Sequence, residues 1–347
     1  MPAGGTREVL GRGLRSRFGK IGSALDRAAF KPATLPDDLV TAIALLPPIA
    51  AGLIIFRVAA AEILGIALAT GIFGLIAGRL IRRGHGSQVG ANVVIAPVFG
   101  VALIGAGAGL VIAAEISVLA VVLEVLRARF MPAIRAQVGL LAYAAIGLAT
   151  RGATRAYIDP NGGTNPLDPI DTWYTLFHQS AWVLDPMRLY VGNVAGPVFA
   201  TSVLAIAIGV AWMAYARRVS LVVLASFVVG ALVATYTLKW DILFHLDNGP
   251  TWFVVGLILA DRRLLPESWA VRPVLGFAAG LFGIGLRNNG YGTDALIFGV
   301  AIIQALMAVI VVIYWSAAIG MERARRNRRL RQREANLRVV KTISRAG

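Results

Sequence analysis

The sequence predicts an all-α membrane protein of about ten transmembrane helices, some of them broken or re-entrant. Two observations carry this. The chain of 347 residues is 57% hydrophobic and 15% charged, with a mean hydropathy of +0.72; a soluble domain sits nearer one quarter charged. Arginines also recur at every second junction between the apolar segments that run from Leu39 to Tyr314, the mark of loops held on the cytosolic side of a membrane.

Residues 1–37 hold Arg7, Arg12, Arg15, Arg17, Lys20, Arg27 and Lys31 without an apolar core of their own, which does not fit a signal peptide. Val9, Leu10, Leu14, Phe18, Ile21, Leu25 and Phe30 recur between these charges at near-helical spacing. A basic amphipathic segment on anionic cytosolic headgroups is the reading. Residues 38–320 form the transmembrane domain, and 321–347 are a second basic cytosolic segment.

Spanning the hydrocarbon takes about 20 apolar residues. Segments fall at 39–56, 58–78, 91–104, 107–126, 134–150, 192–214, 219–236, 250–260, 272–287 and 294–318. Several are short. The 91–109 stretch, with Pro97 and a Gly-Ala alternation from Gly105 to Gly109, reads as a broken or re-entrant helix, as does 250–260. Irregular backbone at that depth survives only against protein or lining a cavity.

Arg79, Arg82 and Arg83, Arg127 and Arg129, Arg217 and Arg218, Arg262 and Arg263, and the basic tail all fall on one side if there are ten spans. The opposite loops are 151–190, with Asp159, Asp168, Asp171 and Asp185, and 237–249, with Asp241 and Asp247. The expected placement is a bacterial inner (plasma) membrane, both termini cytosolic and loop 151–190 extracytosolic. Ala133-Ile134-Arg135 with Gly139 echoes Ala270-Val271-Arg272 with Gly276. The echo leaves room for inverted repeats, although two outward-running helices that each start on a cytosolic arginine explain it as well.

The net charge of +16 lies in the tails and short loops and not on a polar domain, so nucleic acid is not an expected partner. Cysteine is absent, which excludes disulfides, thiolate iron–sulfur ligation and a thiol nucleophile. His85, His178 and His245 fall outside the spans, against a b-type haem, and no metal site is expected. Nucleotide-binding, zinc-protease and serine-hydrolase signatures are missing. Glu115, deepest in its span, is the candidate for an ion path. Glu62 and Glu124, nearer span ends, are expected to meet headgroup water. Arg287 is expected to form an ion pair at the outer interface. The aromatics Trp173, Tyr174, Phe177 and Trp182 suit an interfacial helix, or stacking on a flavin or quinone.

Three separated stretches resemble the D subunit of Rnf-type electron-transport complexes and the related B subunit of the sodium-pumping NADH:quinone reductase. The first is Ala44-Leu45-Leu46-Pro47-Pro48 with Ala51-Gly52. The second is Phe130-Met131-Pro132-Ala133 with Gly139, similar to the family's Phe-Asn-Pro-Ala. The third is Gly256, Ala260-Asp261, Pro266, Arg272, Gly276, Gly280, Arg287, Gly290-Tyr291 and Phe298. The resemblance covers roughly 39–318 in the family's order.

It implies a subunit that works beside other subunits of a membrane complex, passing electrons through FMN or quinone and coupling redox to ion movement. The family's flavin is esterified to a threonine within Asp-x-x-Ser-(Gly/Ser)-Ala-Thr-Pro-Leu. Here the stretch reads Asp159-Pro160-Asn161-Gly162-Gly163-Thr164-Asn165-Pro166-Leu167. Asn165 occupies the flavinylated position, and asparagine has no hydroxyl to esterify. Thr164, one residue early, is the covalent FMN position if there is one, with Asp159, Gly162, Gly163 and Asn165 around it. Arg135, Asp261, Arg272 and Arg287 would frame the motif-bearing helices. Leu126-Arg127-Ala128-Arg129 replaces the family's Gly-rich run, and Gly196-Pro197-Val198 weakens its Gly-Glu-Thr/Ser feature. Two alternatives stand beside this reading: a flavin-less structural or assembly subunit, and a small-solute transporter or channel on the same scaffold.

Overall fold

A computed structural model describes residues 35–80, 90–162, 167–176, 186–289, 291–317 and 321. Gly163, Thr164, Asn165, His85, His178 and nearly all of the two basic end segments lie outside these residues. Among those described the fold is all-helical, with only two isolated β-bridges, Gly105–Pro197 and Val219–Asp261. Four helices are long and apolar enough to cross a membrane: α1 (Asp37–Leu80), α3 (Gly109–Phe130), α8 (Leu221–Leu238) and α12 (Asp294–Ala317). Five shorter apolar helices join them: α2 (Asn92–Val101), α4 (Val138–Ala149), α7 (Val203–Tyr215), α10 (Gly249–Leu259) and α11 (Val271–Gly285). Three short helices lie between them, α5 (Pro169–Leu176), α6 (Pro186–Val191) and α9 (Ile242–Leu246). Ile54, Phe73, Val111, Phe282 and Ile310 are exposed on the outer faces, a degree of apolar exposure that suits lipid and not water.

A straight helix of 44 residues would reach about 66 Å, yet both ends of α1 meet the start of α2. The Asp38 carboxylate lies beside Gly90, and Gly74 packs on Val93, residues too close in sequence to be far apart. The chain doubles back at Arg57, whose φ of 50° and ψ of −117° interrupt the helix. That residue is the gap between the predicted segments 39–56 and 58–78.

The predicted breaks are also present. Helix α2 stops at Val101, and residues 102–108 cross the interior as irregular turns, with short-range backbone bonds from Ala102, Leu103, Ile104 and Ala108 N; Leu103 and Ile104 are fully buried. Their backbone is satisfied across the bundle. Gly105 N donates to Thr154 O at 2.8 Å and Gly107 N to Ala156 O at 2.8 Å, while Ile104 O accepts from Val198 N at 2.8 Å and Ala102 O from Phe199 N at 3.2 Å. The facing segment 192–202 is itself irregular until Ser202 caps α7, its hydroxyl accepting from Ala205 N. In α10 the last seven residues, Phe253–Leu259, wind as a π-helix and are all buried. Phe99 meets Phe253 edge-on at 5.8 Å, tying α2 to α10.

The echoed glycines share a packing role. A side chain at Gly139 would run into the Ala96 carbonyl of α2, and one at Gly276 into the Val223 carbonyl and Ser226 hydroxyl of α8. The echoed arginines hold one loop: Arg135 Nη1 donates to Leu265 O at 3.2 Å and Arg272 Nε to Pro266 O at 3.3 Å.

A charged latch closes the end of the bundle where α1 begins. Asp261, 2% exposed, accepts from Arg218 Nη2 at 2.8 Å and Arg263 Nη2 at 3.2 Å. Arg218 continues to Asp37 at 3.1 Å, and Arg263 donates to Thr41 Oγ1 at 2.6 Å and lies 3.4 Å from Asp38. Backbone bonds Ser220 N to Ala260 O and Arg262 N to Arg218 O, both 2.8 Å, zip the two loops together. Removing one partner of such a pair leaves a buried charge uncompensated. Asp261→Ala should therefore cost about 3–5 kcal/mol, read as a lowered thermal unfolding midpoint, whereas Glu267→Ala, on an exposed pair with Arg135, should cost under about 1 kcal/mol.

Candidate functional site

The loop between α4 and α7 folds over the end of the bundle opposite the latch. Its Asp-Pro-Asn-Gly sequence makes the turn its chemistry favours: Gly162 N donates to Asp159 O at 3.1 Å, and Gly162 takes a φ of 76°. Asp159 Oδ1 accepts from Asn161 N at 2.9 Å, while Asn161 and Asn193 exchange side-chain hydrogen bonds, Asn193 Nδ2 donating to Asn161 Oδ1 at 2.9 Å. Beneath this turn is a cavity of about 110 Å³ whose walls include Asp159, Asn161, Leu167, Thr172, Arg188 and Asn193.

A second, much smaller cavity of about 10 Å³, room for about one water molecule, lies deeper. Pro169, Val194 and Ala195 border both. The deeper one is lined by Asp168, Asp247, Asn248, Thr201 and Thr293 together with the irregular backbone at Gly196 and Pro197. Asp168 is 1% exposed, and its Oδ1 accepts from Asp171 N at 2.8 Å. Asn248 donates its side-chain nitrogen to Thr293 Oγ1 at 3.4 Å. Burial pushes the Asp247 carboxyl up to about 6.

Beside these cavities the mouth of the bundle holds a network that sequence reading missed. Tyr143 of α4 donates to Asp294 Oδ1 at 2.9 Å, both residues being buried. Arg155 reaches Asp171 Oδ2 at 2.6 Å, the Tyr291 carbonyl at 3.1 Å and Asp294 Oδ2 at 3.4 Å. Burial, reinforced by Asp168 and opposed by Arg155, lifts Asp171 to about 6. The available signal was Asp294 itself, a carboxylate opening a 24-residue apolar helix.

Arg287 departs from its expected place at the outer interface, and His245 lies with it in the interior. Arg287 is 1% exposed and His245 fully buried. Arg287 Nη1 donates to His245 O at 2.8 Å and lies 3.2 Å from His245 Nδ1, while Nη2 donates to Thr251 Oγ1 at 2.6 Å. The guanidinium thus joins α9, α10 and the end of α11, and faces the interior instead of headgroups. His245 stacks on Trp240 at 5.0 Å.

The other candidates do not gather here. Arg135 and Asp261 belong to the latch end, one length of α11 (about 22 Å) from Arg287. Glu115 falls off the buried stripe Ala113, Ile116, Ser117, Ala120 and Glu124, and so faces outward from α3, not into an internal path. Glu124, expected near headgroup water, is the buried one. It is 4% exposed, and both its oxygens accept from Arg127, at 2.8 and 2.6 Å. It borders a polar cavity of about 260 Å³ with Asn92, Arg127, Arg135, Gln137 and Arg263. An apolar groove of about 470 Å³ runs between α4 and α12, walled by Leu141, Ala145, Leu148, Phe298, Gly299 and Ile302, with Tyr291 also in its lining.

Among the described residues no group of three or more His, Cys, Asp or Glu side chains is placed to hold a metal ion. No family model matches the chain, and no curated protein does either.

Burial and the adjacent Arg287 guanidinium push His245 from 6.5 down to about 3. Below pH 6.5 the unfolded chain binds a proton that the folded chain refuses. The stability contributed by neutral His245 is therefore present above pH 6.5 and lost as pH falls toward about 3. Thermal midpoints of wild type and His245→Gln, compared from pH 7 to 4, should show the wild type falling faster. Parallel curves would contradict this, since the terms of Asp171 and Asp247 are common to both proteins.

Proposed function

We propose that the chain is an integral-membrane subunit, similar to the D subunits of Rnf-type complexes, that carries electrons through a flavin at the loop cavity. In this reading the two arms of α1 and the eight other apolar helices make ten spans. The latch is then cytosolic and the loop cavity extracytosolic in a bacterial inner membrane. One observation carries the proposal: Asp159, Asn161 and Leu167, from the segment that resembles the flavin-attachment motif, line a cavity of about 110 Å³ with a guanidinium at its edge.

The residues present fit such a group. Arg188 supplies a cation for a phosphate, Leu167 and Val194 an apolar surface for a flat ring, and Asn161 and Asn193 amides for polar ring edges. A bound flavin would supply one- and two-electron chemistry. The chain's own part is to hold and orient it, with Thr164 as the attachment hydroxyl. The groove between α4 and α12 suits the apolar tail of a quinone. Other subunits must complete the electron path, because a chain without cysteine holds no thiolate cluster. Helices arranged as inverted repeats around the two broken segments would fit the same architecture. The flavin-less structural subunit rests on a different observation, asparagine at position 165.

Purified protein, denatured and run on a gel, should fluoresce as a flavoprotein, and Thr164→Val should abolish the fluorescence while leaving expression unchanged. A dark wild-type band would remove covalent FMN and leave the structural reading.

A further inference from the structure

We propose that the polar cavity beside the latch binds a phosphate group, carried on a phospholipid headgroup or free, through Arg127, Arg135 and Arg263. The site lies at the end of the bundle away from the loop cavities and stands without the electron-transfer reading.

The cavity measures about 260 Å³, far above the roughly 10–15 Å³ that one water needs. Three separate stretches of chain converge on it. The last turns of α3 bring Glu124 and Arg127, residues 132–137 bring Arg135 and Gln137, and the loop after α10 brings Arg263. Among the described lining residues there are thus three guanidinium groups and one carboxylate.

The guanidiniums are held in place by other groups. Arg127 is clamped by both oxygens of Glu124 and donates to Ile134 O at 3.1 Å. Arg135 donates to Leu265 O at 3.2 Å and Glu267 at 2.7 Å, and Arg263 is fixed by Asp261 and Thr41. A guanidinium has more N–H donors than these bonds take up at Arg127 and Arg135. Asp261 and Glu267 are not in the lining. The Glu267 side chain is 85% exposed, so water screens it, and Asp261 divides its charge between Arg218 and Arg263.

Two helix starts reinforce the positive lining. Helix α2 begins at Asn92 and α4 at Val138, and neither has a side-chain cap. First-turn amides and the positive end of the helix dipole favour an anion. Asn92 and Gln137 add side-chain amides.

Donor geometry narrows the anion. A carboxylate presents two oxygens in one plane and suits a single fork. Forks arriving from three segments match the several oxygens of a tetrahedral phosphate. The position also fits, since basic pockets at the ends of membrane helices meet lipid headgroups. Arg127 stands in the stretch Leu126–Arg129, where the chain departs from the family it resembles, so this donor set is its own.

The test uses the full chain in two arms. In detergent, the thermal midpoint is followed as sodium phosphate replaces sodium chloride or sodium acetate at constant ionic strength. In nanodiscs of phosphatidylcholine mixed with phosphatidylglycerol, lipid retained on the chain is counted by native mass spectrometry. A saturable rise with phosphate that chloride and acetate do not reproduce assigns free phosphate. One phosphatidylglycerol retained per chain in preference to phosphatidylcholine assigns a headgroup. Arg135→Gln, whose carboxylate partner is exposed, should fold and weaken the binding seen by about tenfold. Gln137→Glu, which places a negative charge in the lining, should weaken it at least as much. The site is refuted if neither preference appears, or if both variants bind like wild type. No arm reads flavin, so this site and the electron-transfer reading fail separately.

Discussion

The fold depends on how the backbone between Ala102 and Gly107 finds hydrogen-bond partners away from water. Each unmet peptide group there would cost several kcal/mol, and helix α2 has already ended. Thr154, Ala156, Val198 and Phe199 provide the answer from two distant segments. This requirement fixes the rest. The loop after α4 must turn back into the bundle to present Thr154 and Ala156. The approach to α7 must stay non-helical to present the Val198 and Phe199 amides. The cavities beneath the loop exist because these irregular strands of chain cannot pack as tightly as helices do.

The two ends of the bundle solve electrostatic problems in contrasting ways. At the latch, Asp37, Asp38 and Asp261 meet Arg218 and Arg263, so charges largely cancel over short distances. At the loop end, Asp168, Asp171 and Asp294 gather around Arg155, and Asp247 lies across the deeper cavity with Asp168. The first arrangement is a closure. The second leaves an excess of acceptors where the chain is least regular, the disposition expected of a part that handles something other than itself.

Much of this was legible in the sequence because apolar runs and their interruptions are local signals. Arg57 separated two runs and is the point of reversal. Pro97 with the glycines that follow, and the brevity of 250–260, marked the two segments with irregular hydrogen bonding. Asp159-Pro160-Asn161-Gly162 announced its turn. The side-chain sites were not legible in the same way. In a helix that meets lipid on one face and protein on the other, both faces are apolar, so no stripe reveals which carboxylate points inward. Glu115 and Glu124 exchanged their expected roles for that reason. Tyr143 and Asp294, or Arg287 and His245, are brought together by packing between helices that no spacing rule connects.

The π-helix at Phe253–Leu259 has a consequence for the segment as a whole. A π turn accommodates one residue more than an α turn, and such insertions recur where function needs them. Restoring α geometry would rotate everything on one side of the insertion by about 100° relative to the other. Asn248 and Thr251 precede it and Asp261 follows it, so its winding sets the angle between side chains at the loop end and those at the latch. The loop end and the latch cannot be re-phased independently while these seven buried residues keep their winding.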